Sequence, residues 1–252
     1  MTTLKTIVQQ LDGILAEREY GDNSNNGLQV ENSGRVTKIA CGVDASLEFF
    51  QEAQRRGASL CLVHHGMSWD KSLAHISGLN YEKVKFLMEN DMALYASHIP
   101  LDAHSTFGNN VLLAKGLGLG QLKRFCGYHG SEISFSGTLP KPVSVAAFAK
   151  RFEKLVGNRV QTWDFGKPEI RTVGIVSGGG GFCVAQAVKC GFDAFVTGEA
   201  GLNAYNDAKD GNLNVFLGGH YATEALGVKA LGQYVAKKAK IPCEFIDLKI
   251  PY

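Results

Sequence analysis

Short apolar runs of strand length alternate with helix-periodic stretches from Val36 onward, and this alternation restricts the chain to a layered α/β fold more than any other feature. Val36 to Val43 predicts a strand, Ser46 to Arg56 a helix, and Leu60 to Val63 a buried strand. Tyr81 to Asn90 predicts a helix, Ala93 to Ser97 a strand, and Asn110 to Gly116 a short helix. From Phe125 to Leu139, Gly, Ser and Tyr alternate with Ile, Phe and Leu, as in short antiparallel strands, and Pro140-Lys-Pro142 marks a break. A helix is expected over Val145 to Leu155 and a strand over Arg159 to Trp163. The alternation then resumes: strand Ile170 to Val176, helix Gly181 to Cys190, strand Ala194 to Thr197, helix Leu202 to Lys209, strand Val215 to Leu217, helix Thr223 to Ala239, strand Glu244 to Leu248. Ahead of all this, apolar residues at helical spacing from Leu4 to Glu17 predict a helix with Thr3 as its N-cap. The stretch Tyr20 to Gly27 is too rich in Asn to read as a regular element, and the loop from Asp22 to Gln29 either lines a cleft or is simply a polar turn.

The change of texture near Phe125 divides the chain into a first α/β lobe, residues 1–124, and a second, residues 125–252. Both are expected to hold mostly parallel sheets, with the final helix and strand free to pack back on the first lobe. A chain of 252 residues with 45% hydrophobic residues can bury cores of that size. A formal net charge of +2, with scattered Lys and Arg, argues against a nucleic-acid-binding face. The short run Lys237, Lys238, Lys240 reads as a solvated helix end. No signal peptide and no bilayer-length apolar run is seen, so no membrane partner is expected. None of the six cysteines forms a C-x-x-C pair, which predicts buried free thiols and a reducing, cytoplasmic compartment.

Three strand ends carry residues able to do chemistry. His64 and His65 follow the strand ending at Val63 and precede Gly66. Ligands of open α/β sheets bind beyond the carboxyl ends of strands. Adjacent strand residues point to opposite faces, so the two rings serve neighbouring metals more easily than one; one core and one exposed histidine is the bland alternative. His98, Asp102 and His104 follow the strand ending at Ser97, and Pro100 biases Ile99 towards extended geometry, so a loop is expected to begin there. Asp102 could instead cap a turn and His104 lie in solvent. Gly218-Gly-His-Tyr-Ala-Thr-Glu224 follows a third strand, and His220 and Glu224, four apart, share a helix face if the first turn is formed. Imidazole and carboxylate together suit Zn, Mn, Fe, Co or Ni, and a carboxylate can bridge two ions for hydrolysis.

The motifs Asn26-Gly-Leu-Gln29, Gly42-Val-Asp44, Val63-His-His-Gly66, His98-Ile-Pro-Leu-Asp-Ala-His104, Gly108-Asn-Asn110, Thr197-Gly-Glu199 and Gly219-His-Tyr-Ala-Thr-Glu224 span nearly the whole chain. In this order the sequence resembles the GTP cyclohydrolase 1 type 2 homologue family, the Nif-three-like dinuclear metal-centre hexameric proteins. The resemblance implies two α/β lobes with a metal pair in the cleft between them, and a ring-shaped homohexamer. It implies two divalent cations per subunit, held by His64, His65, Asp102, His220 and Glu224, with Glu224 as the bridge. Many relatives have a second His where this chain has Tyr221, so Tyr221 takes no ligand role. The family's reaction is not settled.

Other signals are weaker. The turn Ser177-Gly-Gly-Gly-Gly181 reads as a tight strand-to-helix turn, with a phosphate cradle as the alternative; it fits neither G-x-G-x-x-G nor a P-loop. Glu199 is a candidate acid/base or supporting group, or a helix cap. The leading expectation is a metal-dependent hydrolase of a small nucleotide-like substrate, with His98 or Glu199 moving protons. A metal-binding or metal-delivery protein without turnover, and a regulatory scaffold built on the ring, are the alternatives.

Overall fold

The structure is a computed structural model, and it describes residues 2–16 and 19–252. In chain order the strands are β1 (Gly27–Val30), β2 (Ile39–Asp44), β3 (Leu60–His65), β4 (Ala93–Ala96), β5 (Gly120–Lys123), β6 (Gly127–Tyr128), β7 (Ser131–Glu132), β8 (Phe135–Ser144), β9 (Gln161–Trp163), β10 (Glu169–Ile175), β11 (Ala194–Thr197), β12 (Asn214–Leu217) and β13 (Cys243–Phe245). The helices are α1 (Leu4–Leu15), α2 (Leu47–Arg55), α3 (Gly78–Glu89), α4 (Ile99–Ala103), α5 (Asn109–Gly116), α6 (Val145–Val156), α7 (Val184–Lys189), α8 (Leu202–Asp210) and α9 (His220–Ala239). Glu17, the last residue of the first predicted helix, lies outside the described residues. The elements divide between two units. One runs to Leu101 and includes Gly227–Lys249; the other is Asp102–Leu226 with Ile250–Tyr252.

The sheet of the first unit has the order β1-β4-β3-β2-β13. The strands from β4 to β13 are parallel, and only β1, at the edge, runs antiparallel. Strands β2, β3 and β4 are buried almost throughout, as parallel strands covered on both faces are. Phe49, Phe50 and Ala53 of α2 and Leu87 of α3 pack into one core with Ala40, Cys61, Val63 and Leu94. Ser46 opens α2 by accepting a hydrogen bond from the Phe49 amide. Strand β1 has no counterpart in the sequence reading, because its four residues follow the Asn-rich turn without an alternating pattern.

The second unit departs from the expected mostly parallel sheet. Its order is β5-β8-β10-β11-β12-β9, with only β10, β11 and β12 parallel to one another. Strands β8 and β5 on one side and β9 on the other are antiparallel additions. The residues from Gly120 to Lys123 join this sheet through β8, and α5 contributes Val111, Leu113 and Ala114 to this unit's core with Phe148, Phe152, Val173 and Phe216. Pro140 and Pro142 do not break β8. They fall between the paired positions Thr138 and Val143, where the register with β10 shifts, so no ladder donor is lost.

Two further expectations are corrected. Ile99 begins a helix and not a loop, because Pro100 sits in the first turn, where a missing N–H costs nothing. Cys126 and Cys183 are joined in a disulfide 57 residues apart, so they are not free thiols; Cys41, Cys61, Cys190 and Cys243 are. Cys126 lies in a loop and Cys183 in the turn before α7, and neither position carried a spacing signal.

Candidate metal centre

In the first unit three histidines gather at the carboxyl ends of β3 and β4: His64 and His65 are the last two residues of β3, and His98 follows β4. The ring centroids of His64 and His65 are 4.6 Å apart, those of His64 and His98 5.1 Å, and those of His65 and His98 5.5 Å. One nitrogen from each ring lies within 4.8 Å of the other two, a spacing a metal ion could span. His65 is the last residue of β3, so the alternation that separates neighbouring strand side chains no longer keeps the rings apart.

Each ring is held the same way. His64 Nδ1 is 2.9 Å from the Ser97 carbonyl, His65 Nδ1 is 2.8 Å from Asp44 Oδ1, and His98 Nδ1 is 2.9 Å from Asp22 Oδ1. A carbonyl or a carboxylate only accepts, so Nδ1 carries a proton, and in the neutral ring Nε2 keeps the lone pair. That tautomer binds metal, and a carboxylate behind the ring raises its basicity. Asp44 reaches His65 because the register of β2 and β3 sets the two residues side by side. Asp22 also accepts from the Ile99 amide, and Asn26 Oδ1 accepts from the His98 amide at 2.7 Å. Burial alone would raise Asp22, but the hydrogen bond and charge of His98, with the Asn26 and Ser24 donors, outweigh it and hold the carboxyl at about 2. The Asn-rich turn is therefore part of the site's support. Gln29 continues it, its Oε1 accepting from the amides of Met67 and Ser68 just after the His-His-Gly motif.

The second unit presents Asp102, His220 and Glu224. Asp102 is buried in α4, where its Oδ1 accepts from Asn109 at 2.8 Å and from Ser177 Oγ at 3.1 Å. Asn110 ties the Ser177 amide into the same cluster at 2.6 Å. His220 opens α9, three residues before the predicted start, and the helical spacing sets its Nε2 3.2 Å from Glu224 Oε2. Its Nδ1 donates to Glu199 Oε1 at 2.8 Å, so Glu199 holds a ring and caps no helix. Burial would lower His220, but Glu224 and then Glu199 prevail and raise it to about 9. Positive charge is thus favoured between His220 and Glu224, and a divalent ion fits this donor set.

The glycine turn walls this corner. Gly178 has φ +59°, and a Cβ built on it would stand 1.9 Å from Glu224 Oε1 and 2.9 Å from His220 Nε2. Its amide donates to Thr223 Oγ1 at 2.9 Å. His104 does other work: its Nδ1 accepts from the Thr106 and Phe107 amides and closes the turn after α4. Tyr221 is buried, and its amide donates to the Tyr252 carbonyl. Asp22 and Asp44 are the supporting residues that sequence reasoning missed. For Asp44 the pairing of β2 with β3 was a signal, since it ends the strand beside the histidines.

The family model of Duf34/NIF3 (NGG1p interacting factor 3) matches residues 2–250. The chain belongs to the Duf34/NIF3 family. Curated relatives named "GTP cyclohydrolase 1 type 2 homolog" are similar over nearly their whole length. The one from Deinococcus radiodurans is 39% identical over 241 residues, covering 96% of this chain and 91% of the relative. That from Archaeoglobus fulgidus is 40% identical over 245 residues, covering 97% and 98%. Among solved structures, the structural-genomics protein ybgI, titled as of unknown function, superposes with a TM-score of 0.93 at 33% identity, covering 99% of this Duf34/NIF3 chain and 100% of that one. Among the described residues, no helix is long and apolar enough to cross a membrane.

Proposed function

We propose that this Duf34/NIF3 chain is a dinuclear metal-dependent hydrolase acting on a small nucleotide-like substrate. His64, His65, Asp102, His220 and Glu224 are the proposed ligands, with Glu224 as the bridge. The observation that supports the reading is the backing of four imidazoles: His64, His65, His98 and His220 each direct Nδ1 at a carbonyl or carboxylate oxygen, the support that orients metal-binding histidines. When bound, two divalent ions supply Lewis acidity for hydrolysis. Asp44 and Glu199 fix the rings of His65 and His220, and His98, backed by Asp22, is the proposed proton carrier. The nucleotide rests on the name given to the Deinococcus and Archaeoglobus relatives. A cytoplasmic homohexameric ring is part of the same proposal, and native mass spectrometry should find six chains.

Metal per chain is the deciding measurement. Elemental analysis of the purified protein should give about two ions, and His64→Ala should lose most of them. Metal near background in the unaltered protein sinks the reading. Hydrolysis of nucleotides with Mn, Zn or Fe comes next; bound metal with no turnover on any of them would leave a metal-binding or delivery role.

A further inference from the structure

One cavity of the second unit, about 650 Å³, opens beside Glu199 and is built without a cation: its lining holds two carboxylates, Glu199 and Asp207, and no Lys, Arg or His. Three of the large exposed apolar side chains among the described residues meet on it. Phe182 is 52% exposed, Leu202 74% and Tyr252 68%, and all three line the cavity. Exposed apolar surface of this kind, gathered around a concave site with a few polar groups, marks a ligand.

The chemistry of the lining selects the ligand. Aromatic side chains offer faces to a planar ring. Carboxylates ask for N–H donors on that ring's edge. Glu199 accepts from His220 through Oε1 and also from the Tyr252 hydroxyl, and a carboxylate has lone pairs enough for a further N–H at the cavity. Phosphate is disfavoured by both acids, and the glycine turn does not rescue it. Within the turn the Gly178 amide already donates to Thr223 Oγ1 and the Gly180 amide to Thr197 Oγ1. The turn runs on into a short 3-10 turn from Gly180 to Cys183.

We propose that this cavity binds the planar, N–H-bearing heterocyclic end of the substrate, with Phe182 and Tyr252 against the ring and Glu199 on its donor edge, and that it excludes phosphate. This deepens the hydrolase reading and rests on it for the word substrate, while the binding itself does not. Glu199 would then touch both the ring and His220, and so link ring recognition to the metal corner.

The test uses the full chain, as isolated and after chelation, with 2-aminobenzimidazole, benzimidazole and inorganic phosphate as probes in titrations followed by NMR. The amine-bearing ring should bind with and without metal, about tenfold more tightly than benzimidazole, the value of one charge-assisted hydrogen bond. Phosphate should neither bind nor compete. Phe182→Ala removes a half-exposed ring at little risk to folding, and Glu199→Gln is isosteric; each should weaken binding about five- to tenfold. Equal affinity for both rings, competition by phosphate, or unchanged binding in both variants overturns the proposal. Because the chelated protein is measured too, absence of metal defeats the hydrolase reading alone, and absence of ring binding defeats the cavity alone.

Discussion

In the first unit the histidines end a strand of a largely parallel sheet; in the second the histidine opens a helix after a pair of glycines. The first arrangement is set by register. Asp44 stands beside His65 because β2 and β3 pair there, and His98 follows the next strand in the same sheet. The second is set by close approach. Helical spacing joins His220 to Glu224, and Gly178 leaves the space they occupy. A register-built site should tolerate changes of size and suffer when a partner is removed. A site built on close approach should suffer when anything is added.

The largest expected effect tests that contrast directly. Gly178→Ala forces a methyl onto Glu224 in a backbone conformation that disfavours it, and should cost at least about 100-fold in metal affinity by chelator competition. Gly201→Ala is its control, since a Cβ there meets nothing within 4 Å; it should keep the wild-type affinity. If both variants bind alike, close approach is not what builds the second unit's corner. Next come the ring-holding carboxylates. Asp44→Asn and Glu199→Gln should each weaken metal binding by about 10- to 100-fold, with the protein still folded by circular dichroism. A loss confined to one of them would break the symmetry between the two means of support.

A smaller effect belongs to the first unit alone. Asp22 sits at about 2, below its ordinary 3.8. A carboxyl depressed by folding stabilises above its unfolded pKa and loses that contribution as pH falls from about 4 through 2. The amount is on the order of 2 kcal/mol, and Asp22→Asn should flatten the acid limb of a denaturation series over that window. An unchanged acid limb would show that Asp22 and His98 contribute nothing to stability. The smallest effect is a matched pair of caps. Ser46 caps α2 in the first unit and Ser144 caps α6 in the second, each accepting from an amide three residues on. Replacing either by Ala should cost about 1 kcal/mol in urea titrations. If each variant shifts a different transition, the units unfold separately.

Much of this was legible because strand periodicity and turn chemistry are local. The ends of β3, β4 and β12 were readable to within about two residues from apolar runs closed by Gly or polar residues. Asp22 was not, because its partner His98 is 76 residues away and nothing near Asp22 betrays the pairing. The mixed second sheet was hidden for a related reason. Pro140 and Pro142 signal a break to any local reading, and only the register shift against β10 shows how a strand accommodates them. The disulfide of Cys126 with Cys183 likewise joins residues whose separation says nothing about bonding.

The path of the chain has a consequence for its synthesis. The first unit is discontinuous: its sheet is completed by β13, which pairs with β2 about 200 residues after β2 has left the ribosome. Until then β2 is an edge strand, with Cys41 and Val43 on it and no partner on that side. The intervening unit can close its own sheet earlier, since every strand from β5 to β12 precedes β13. A nascent chain stopped near residue 226 would carry a finished second sheet and an unfinished first one. The unit whose strands come first in the sequence is therefore the unit whose sheet is completed last.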